Sequence, residues 1–139
     1  MTDDMNGAPV DTRPPTFQEI AHDWAKFCFG EETVANKNEC CARFLEEALE
    51  LVQSLGFTRT DAYQLVNHVF DRDEGRPSQE VGGVCVTLAV LCGACDLNML
   101  DCSIEEMNRV RHPDVMKRIR QKNANKPQFS PLPGVPDDG

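Results

Sequence analysis

The chain has 139 residues, of which 40% are hydrophobic and 27% charged, enough for one domain with one core and too few for a second. Fourteen basic against 23 acidic residues give a net charge of −9, so the average surface repels a nucleic-acid backbone. No apolar run approaches the about 20 residues of a spanning helix, and Met1-Thr2-Asp3-Asp4 lacks the basic-then-apolar layout of a signal peptide, so the expectation is a cytoplasmic protein that engages neither nucleic acid nor membrane.

Residues 1–15 carry Asp, Gly and Pro with almost no periodic apolar positions and read as a flexible lead. Thr16-Phe17-Gln18-Glu19 has the form of a capping box, and Phe17, Ile20, Trp24, Phe27 and Cys28 follow helical spacing up to a stop at Gly30. Asn36 or Asn38 is placed to cap a second helix that runs to Leu55 and stops at Gly56.

That second helix contains Arg43-Phe44-Leu45-Glu46-Glu47-Ala48-Leu49-Glu50-Leu51-Val52. At about 100° per residue, Phe44, Leu45, Ala48, Leu51 and Val52 share one broad face, while Glu46, Glu47 and Glu50 gather on the flank. Like charges three and four apart repel by a few tenths of a kcal/mol per pair, and no lysine is interposed. Two readings follow. One is a solvated acidic face; the other is a hard-cation site, because Mg²⁺ is held by carboxylates that otherwise repel one another.

Ala62, Leu65, Val66, Val69 and Phe70 give a third, shorter helix beginning near Asp61, followed by a charged loop from Asp71 to Pro77. Ser78 is placed to cap a fourth helix whose Val81, Val84, Cys85, Leu88, Ala89, Leu91, Cys92 and Cys95 are apolar on nearly every side, so it is expected to be the central, most buried element. Its polar positions are few, with Glu80 at the start and Gly82-Gly83 weakening the first turns by about 1 kcal/mol each relative to Ala. Seven cysteines without a secretion signal argue for reduced thiols, expected to serve as small buried hydrophobes. Cys92-Gly93-Ala94-Cys95 is formally CxxC, but with no second pair and no strands around it, it supports neither zinc nor dithiol chemistry.

Ser103-Ile104-Glu105-Glu106 has the form of a second capping box, opening a helix through Val110 that His112-Pro113 breaks and restarts. The restart carries Val115, Met116 and Ile119 beside Lys117, Arg118, Arg120 and Lys122, an apolar stripe with a basic flank. From 125 to 139 the chain is Pro-rich and reads as an extended tail. With no strand alternation and no internal repeat, the fold class is all-α, a helical bundle over 16–124.

Glu80 opens the helix expected to lie beside the acidic one, and a loop and one short helix fill the stretch between Glu50 and Glu80. With that layout the chain resembles the MazG-like all-α nucleoside triphosphate pyrophosphohydrolases, in particular their often phage-borne branch, whose signature is EExxE on one helix and ExxD on a partner. Glu46-Glu47-Ala48-Leu49-Glu50 matches the first half. Glu80-Val81-Gly82-Gly83 followed by Val84 keeps the glutamate of the second half, with glycine where the family usually has aspartate. The resemblance runs from about Ala42 to Arg120. It implies Glu47, Glu50 and Glu80 as Mg²⁺ ligands, with Mn²⁺ as a substitute, and Glu46 as a further ligand or the base for the attacking water.

The implied activity is hydrolysis of a (deoxy)nucleoside triphosphate to the monophosphate and pyrophosphate. A tetra-anionic substrate then needs divalent ions to neutralise charge and hold in-line geometry. Local cations would grip the phosphates, and the candidates are Arg43 beside the acidic helix and Lys117, Arg120 and Lys122, with Lys126 behind them. Trp24 and Phe17 are candidates to stack on a base, against an ordinary role in the core. His22, His68 and His112 lack metal-ligand spacing and are assigned surface or capping roles. A non-catalytic helical module binding a nucleotide or a protein is the alternative. Too few helices are present to cover every apolar face, so a homodimer or a dimer of dimers is expected.

Overall fold

The computed structural model describes residues 7–125, and among them it holds seven helices and no strand, in accord with the all-α expectation. They are α1 (Phe17–Phe29), α2 (Glu31–Ala35), α3 (Lys37–Ser54), α4 (Arg59–Phe70), α5 (Pro77–Ala94), α6 (Met99–Val110) and α7 (Pro113–Ala124). The first six residues of the expected lead and almost all of the expected tail, Lys126 included, lie outside the described residues.

Local polar chemistry sets most helix starts. Thr16 accepts from the Glu19 backbone N–H at 3.2 Å while the Glu19 carboxylate accepts from the Thr16 N–H at 2.8 Å, completing the expected capping box. Arg13 adds a two-pronged ion pair to the same carboxylate, at 3.1 and 2.7 Å. Asn36 caps α3 and His112 caps α7, each through a side chain that accepts a backbone N–H. Gly30 and Gly56 sit at φ +88 and +91 and end α1 and α3 in a conformation that L side chains rarely adopt. After α5 the same left-handed turn is made by Asp96 at φ +55.

Four local expectations are corrected. The helix α4 opens two residues before Asp61, because Thr58 and Asp61 form a capping box of their own. Arg76, without a side-chain cap bond, precedes α5, and Pro77 fills its first turn in place of a Ser78 cap. The start of α6 is Met99, where Asn98 accepts from the Asp101 N–H at 2.9 Å; Ser103 lies inside the helix with its hydroxyl on the Met99 carbonyl. The five-residue α2, between the expected first and second helices, carries too few apolar positions to show a period in the sequence.

The extended helix contacts are those of α1 with α2 and α7, α2 with α3, α5 with α6, and α6 with α7. Among the described residues only Cys28, Met107 and Val110 are buried, so the core sits where α1 meets the end of α6 and α7. The Trp24 indole N–H donates to the Val110 carbonyl at 3.0 Å, and its ring packs edge-on to Phe29 at 5.7 Å. The Arg120 guanidinium lies 4.5 Å over the Phe27 ring. Burial pushes the Cys28 thiol up, partly offset by the charge of Arg120.

Contrary to expectation, α5 is not the buried centre of the chain. Its Leu88, Leu91 and Cys92 are half-buried, and the rest of it is exposed. The thiols are corrected with it, since Cys40, Cys41, Cys85 and Cys102 are exposed, Cys92 and Cys95 half-buried, and Cys28 alone buried. Composition makes a helix want burial, but a neighbour must be present to provide it, and within one copy α5 packs extensively only on α6.

Candidate metal centre

The carboxylates of α3 stand where the helical period puts them, on the flank of a partly covered apolar face. Glu46 is held by Arg43 through Nη1 to Oε2 at 2.7 Å, and the same guanidinium reaches Glu39 at 3.9 Å. Glu47 and Glu50 are exposed and take no ion pair or hydrogen bond among the described residues. Two unpaired oxygen donor groups one helical turn apart have the chemistry a hard cation uses, and Mg²⁺ commonly takes only one or two carboxylates, its shell completed by water and phosphate oxygens. Glu47 and Glu50 fit that requirement.

Glu80 stands apart from them. The two carboxylate-bearing helices approach at their C-terminal ends, where Val52 and Leu55 line a shallow groove with Gly56, Phe57, Asp61 and Leu91. Glu80 is in the first turn of α5, about 16 Å of helix away from Leu91. Its carboxylate folds back over Gly75, so closely that a Cβ there would collide with it. Nothing in Glu74-Gly75-Arg76 signals this, because a glycine in a charged loop reads as an ordinary turn residue. Among the described residues no three His, Cys, Asp or Glu side chains within one copy converge into a metal-holding cluster, and Cys92 and Cys95 form none either.

The candidate phosphate-gripping cations divide into two places. Arg43 lies beside the acidic flank but is engaged by Glu46 and Glu39. Lys117 and Arg120 border a second groove with Phe27, Pro113, Met116 and Gln121, formed where α7 packs on α1. Lys122, in the last turn of α7, is placed to complement that helix's dipole. Of the aromatic candidates, Trp24 is committed to Phe29 and Val110, while Phe17 is half-exposed at the start of α1. His112 is the cap of α7, as expected of it.

No family model, no curated protein and no solved structure matches the chain.

Proposed function

We propose that the protein is a Mg²⁺-dependent nucleoside triphosphate pyrophosphohydrolase of the MazG-like type, releasing a nucleoside monophosphate and pyrophosphate. The observation that carries the reading is the α3 flank, where Glu47 and Glu50 lie one turn apart, exposed and unpaired, beside an Arg43–Glu46 ion pair. A helix gains nothing in stability from leaving like charges unneutralised, so a cation-binding role accounts for what helix formation does not. In this reading Glu47 and Glu50 hold the cation and Glu46, oriented by Arg43, holds or receives the proton of the attacking water. The cation, when bound, offsets substrate charge and fixes the geometry of attack. Within one copy Glu80 folds back over Gly75, and Lys117 and Arg120 border the groove between α1 and α7, so the reading rests on the α3 carboxylates alone.

The test is pyrophosphate release from a panel of ribo- and deoxynucleoside triphosphates with Mg²⁺ present and absent. Mg²⁺-dependent release from at least one nucleotide is expected. The second reading, a non-catalytic binding module of the same ancestry, draws on the position of Glu80 over Gly75 and on Gly83 in place of the family's aspartate. Nucleotide binding without any release in the panel is the outcome that would favour it.

A further inference from the structure

We infer that the groove between α1 and α7 is a docking site for an acidic peptide segment of another protein, one that carries a large apolar side chain between carboxylates. The groove has a volume of about 320 Å³ and is lined by Phe27, Pro113, Met116, Lys117, Arg120 and Gln121. That is the lower end of the about 300–1,000 Å³ of ligand clefts, room for one or two side chains. Helical spacing places the five lining residues of α7 on one face, opposite Phe27 of α1. Three of the six are apolar and two are cations, the mixture an amphipathic acidic segment matches.

The groove stands on the best-packed part of the chain. Cys28, next to Phe27, is buried, and one turn before it the Trp24 indole N–H is bonded to the Val110 carbonyl at 3.0 Å. A site held this way is formed before its ligand arrives, which lowers the ordering cost of binding. Phe27 nevertheless remains 55% exposed, with the Arg120 guanidinium 4.5 Å over its ring. An apolar side chain in the groove covers that ring.

Charge identifies the occupant. The stretch 109–122 holds six of the 14 basic residues and one of the 23 acidic ones, so it is +5 in a chain that is otherwise −14. Among the described residues Lys117, Arg118, Arg120 and Lys122 take neither an ion pair nor a side-chain hydrogen bond, and Asp23, one turn before Phe27, pairs with none of them. The one carboxylate of the stretch, Asp114, lies beside His112 at 3.9 Å. Open N–H donors on two cations at one rim of an apolar groove suit carboxylates, which form charge-assisted hydrogen bonds with them.

The same charges argue against larger or simpler anions. The whole of α7 is about 18 Å long, and screening confines its field to about 8 Å at physiological ionic strength. A short peptide meets only this field, whereas a nucleic acid or an anionic membrane extends over the acidic remainder of the surface. An inorganic phosphate uses the cations but leaves Phe27 and Met116 uncovered.

Fluorescence anisotropy with the full chain tests the inference without reference to pyrophosphate release. The probe is a fluorescein-labelled octapeptide in which Leu-Phe is flanked on each side by three glutamates. A dissociation constant of about 10–100 µM is expected, with at least about 10-fold weaker binding when Ser-Ser replaces Leu-Phe. Lys117→Glu, at an exposed position, is expected to weaken binding at least about 10-fold. Lys117→Glu with Arg120→Glu should bind instead the peptide whose glutamates are lysines, a reversal that mere loss of packing does not produce. Should the double variant fail to fold, Lys117→Glu alone carries the same comparison. No saturable binding below about 1 mM overturns the inference, as does equal binding of the Ser-Ser peptide. Displacement of the probe by ATP without divalent metal overturns it in favour of a phosphate site. Binding to phosphatidylserine vesicles that Lys117→Glu abolishes overturns it in favour of a membrane, and a fall in the protein's mass as the probe binds assigns the groove to a second copy.

Discussion

Replacing Glu46, Glu47 and Glu50 one at a time by glutamine separates the metal role of α3 from its structural role. Glu50 has like-charged neighbours three and four residues before it, but Glu46 is already engaged by Arg43 at 2.7 Å, so the Glu47–Glu50 pair carries most of the uncompensated repulsion. Glu50→Gln removes that pair and is expected to stabilise the helix by about 0.2–0.5 kcal/mol. Glu47→Gln relieves the same pair but gives up attraction to Arg43 one turn before it, so it should be close to neutral. Glu46→Gln breaks an ion pair worth about 0.3–0.5 kcal/mol at an exposed i, i+3 position and should destabilise slightly. At roughly 3–5 °C of Tm per kcal/mol for a chain of this size, all three changes stay within about 2 °C of wild type. Activity behaves differently. A cation that supplies several kcal/mol of charge stabilisation loses it with a ligand, so Glu47→Gln and Glu50→Gln are each expected to lower Mg²⁺-dependent pyrophosphate release more than about 100-fold. Circular dichroism melts and a pyrophosphate assay run on the same samples make the comparison. Both variants retaining release within about threefold of wild type would refute the metal role and leave Glu47 and Glu50 as a solvated face. A loss of more than about 5 °C would show instead that the carboxylates hold the fold.

Trp24→Phe keeps a ring against Phe29 but deletes the N–H donated to the Val110 carbonyl, and is expected to cost about 1–3 kcal/mol, read as a lowered urea midpoint at unchanged m. The Glu19 carboxyl is held down from an ordinary value of 4.5 to about 2, first by the Arg13 guanidinium and then by the Thr16 backbone N–H. A carboxyl with a depressed value stabilises the folded state above its unfolded value and loses that contribution as pH falls toward 2, so helicity at the start of α1 should decline between about pH 4.5 and 2. In Glu19→Gln that part of the acid transition should vanish, and an unchanged acid profile would count against the assignment. Asn98→Ala should destabilise by about 1 kcal/mol through loss of the α6 cap, whereas Ser103→Ala should be nearly silent; thermal melts with the reverse order would restore Ser103 as the cap.

Features decided by a few consecutive residues were legible in the sequence. The Thr16 capping box, the Asn36 and His112-Pro113 starts, the Gly30 and Gly56 stops and the clustering of Glu46, Glu47 and Glu50 on one flank of α3 each depend on bonds or angles spanning about four residues. Competing local signals were harder to rank. Asn98 and Ser103 both precede an acidic residue three positions on, and only the turn made by Asp96 decides which of them opens α6. Relations between distant residues were out of reach for a different reason. Hydrophobic periodicity states that a face needs cover without saying what covers it, so the pattern of α5, apolar all round, points to the centre of the core although Cys28, Met107 and Val110 form it. The tertiary structure alone decided that α1, α6 and α7 close on one another while α3 and α5 make no extended contact and border a common groove at Val52 and Leu91. That groove leaves Glu80 about 16 Å of helix from the place where the two carboxylate-bearing helices approach, because one turn of α-helix advances only about 5.4 Å and a ligand set drawn from two helices depends on where they cross.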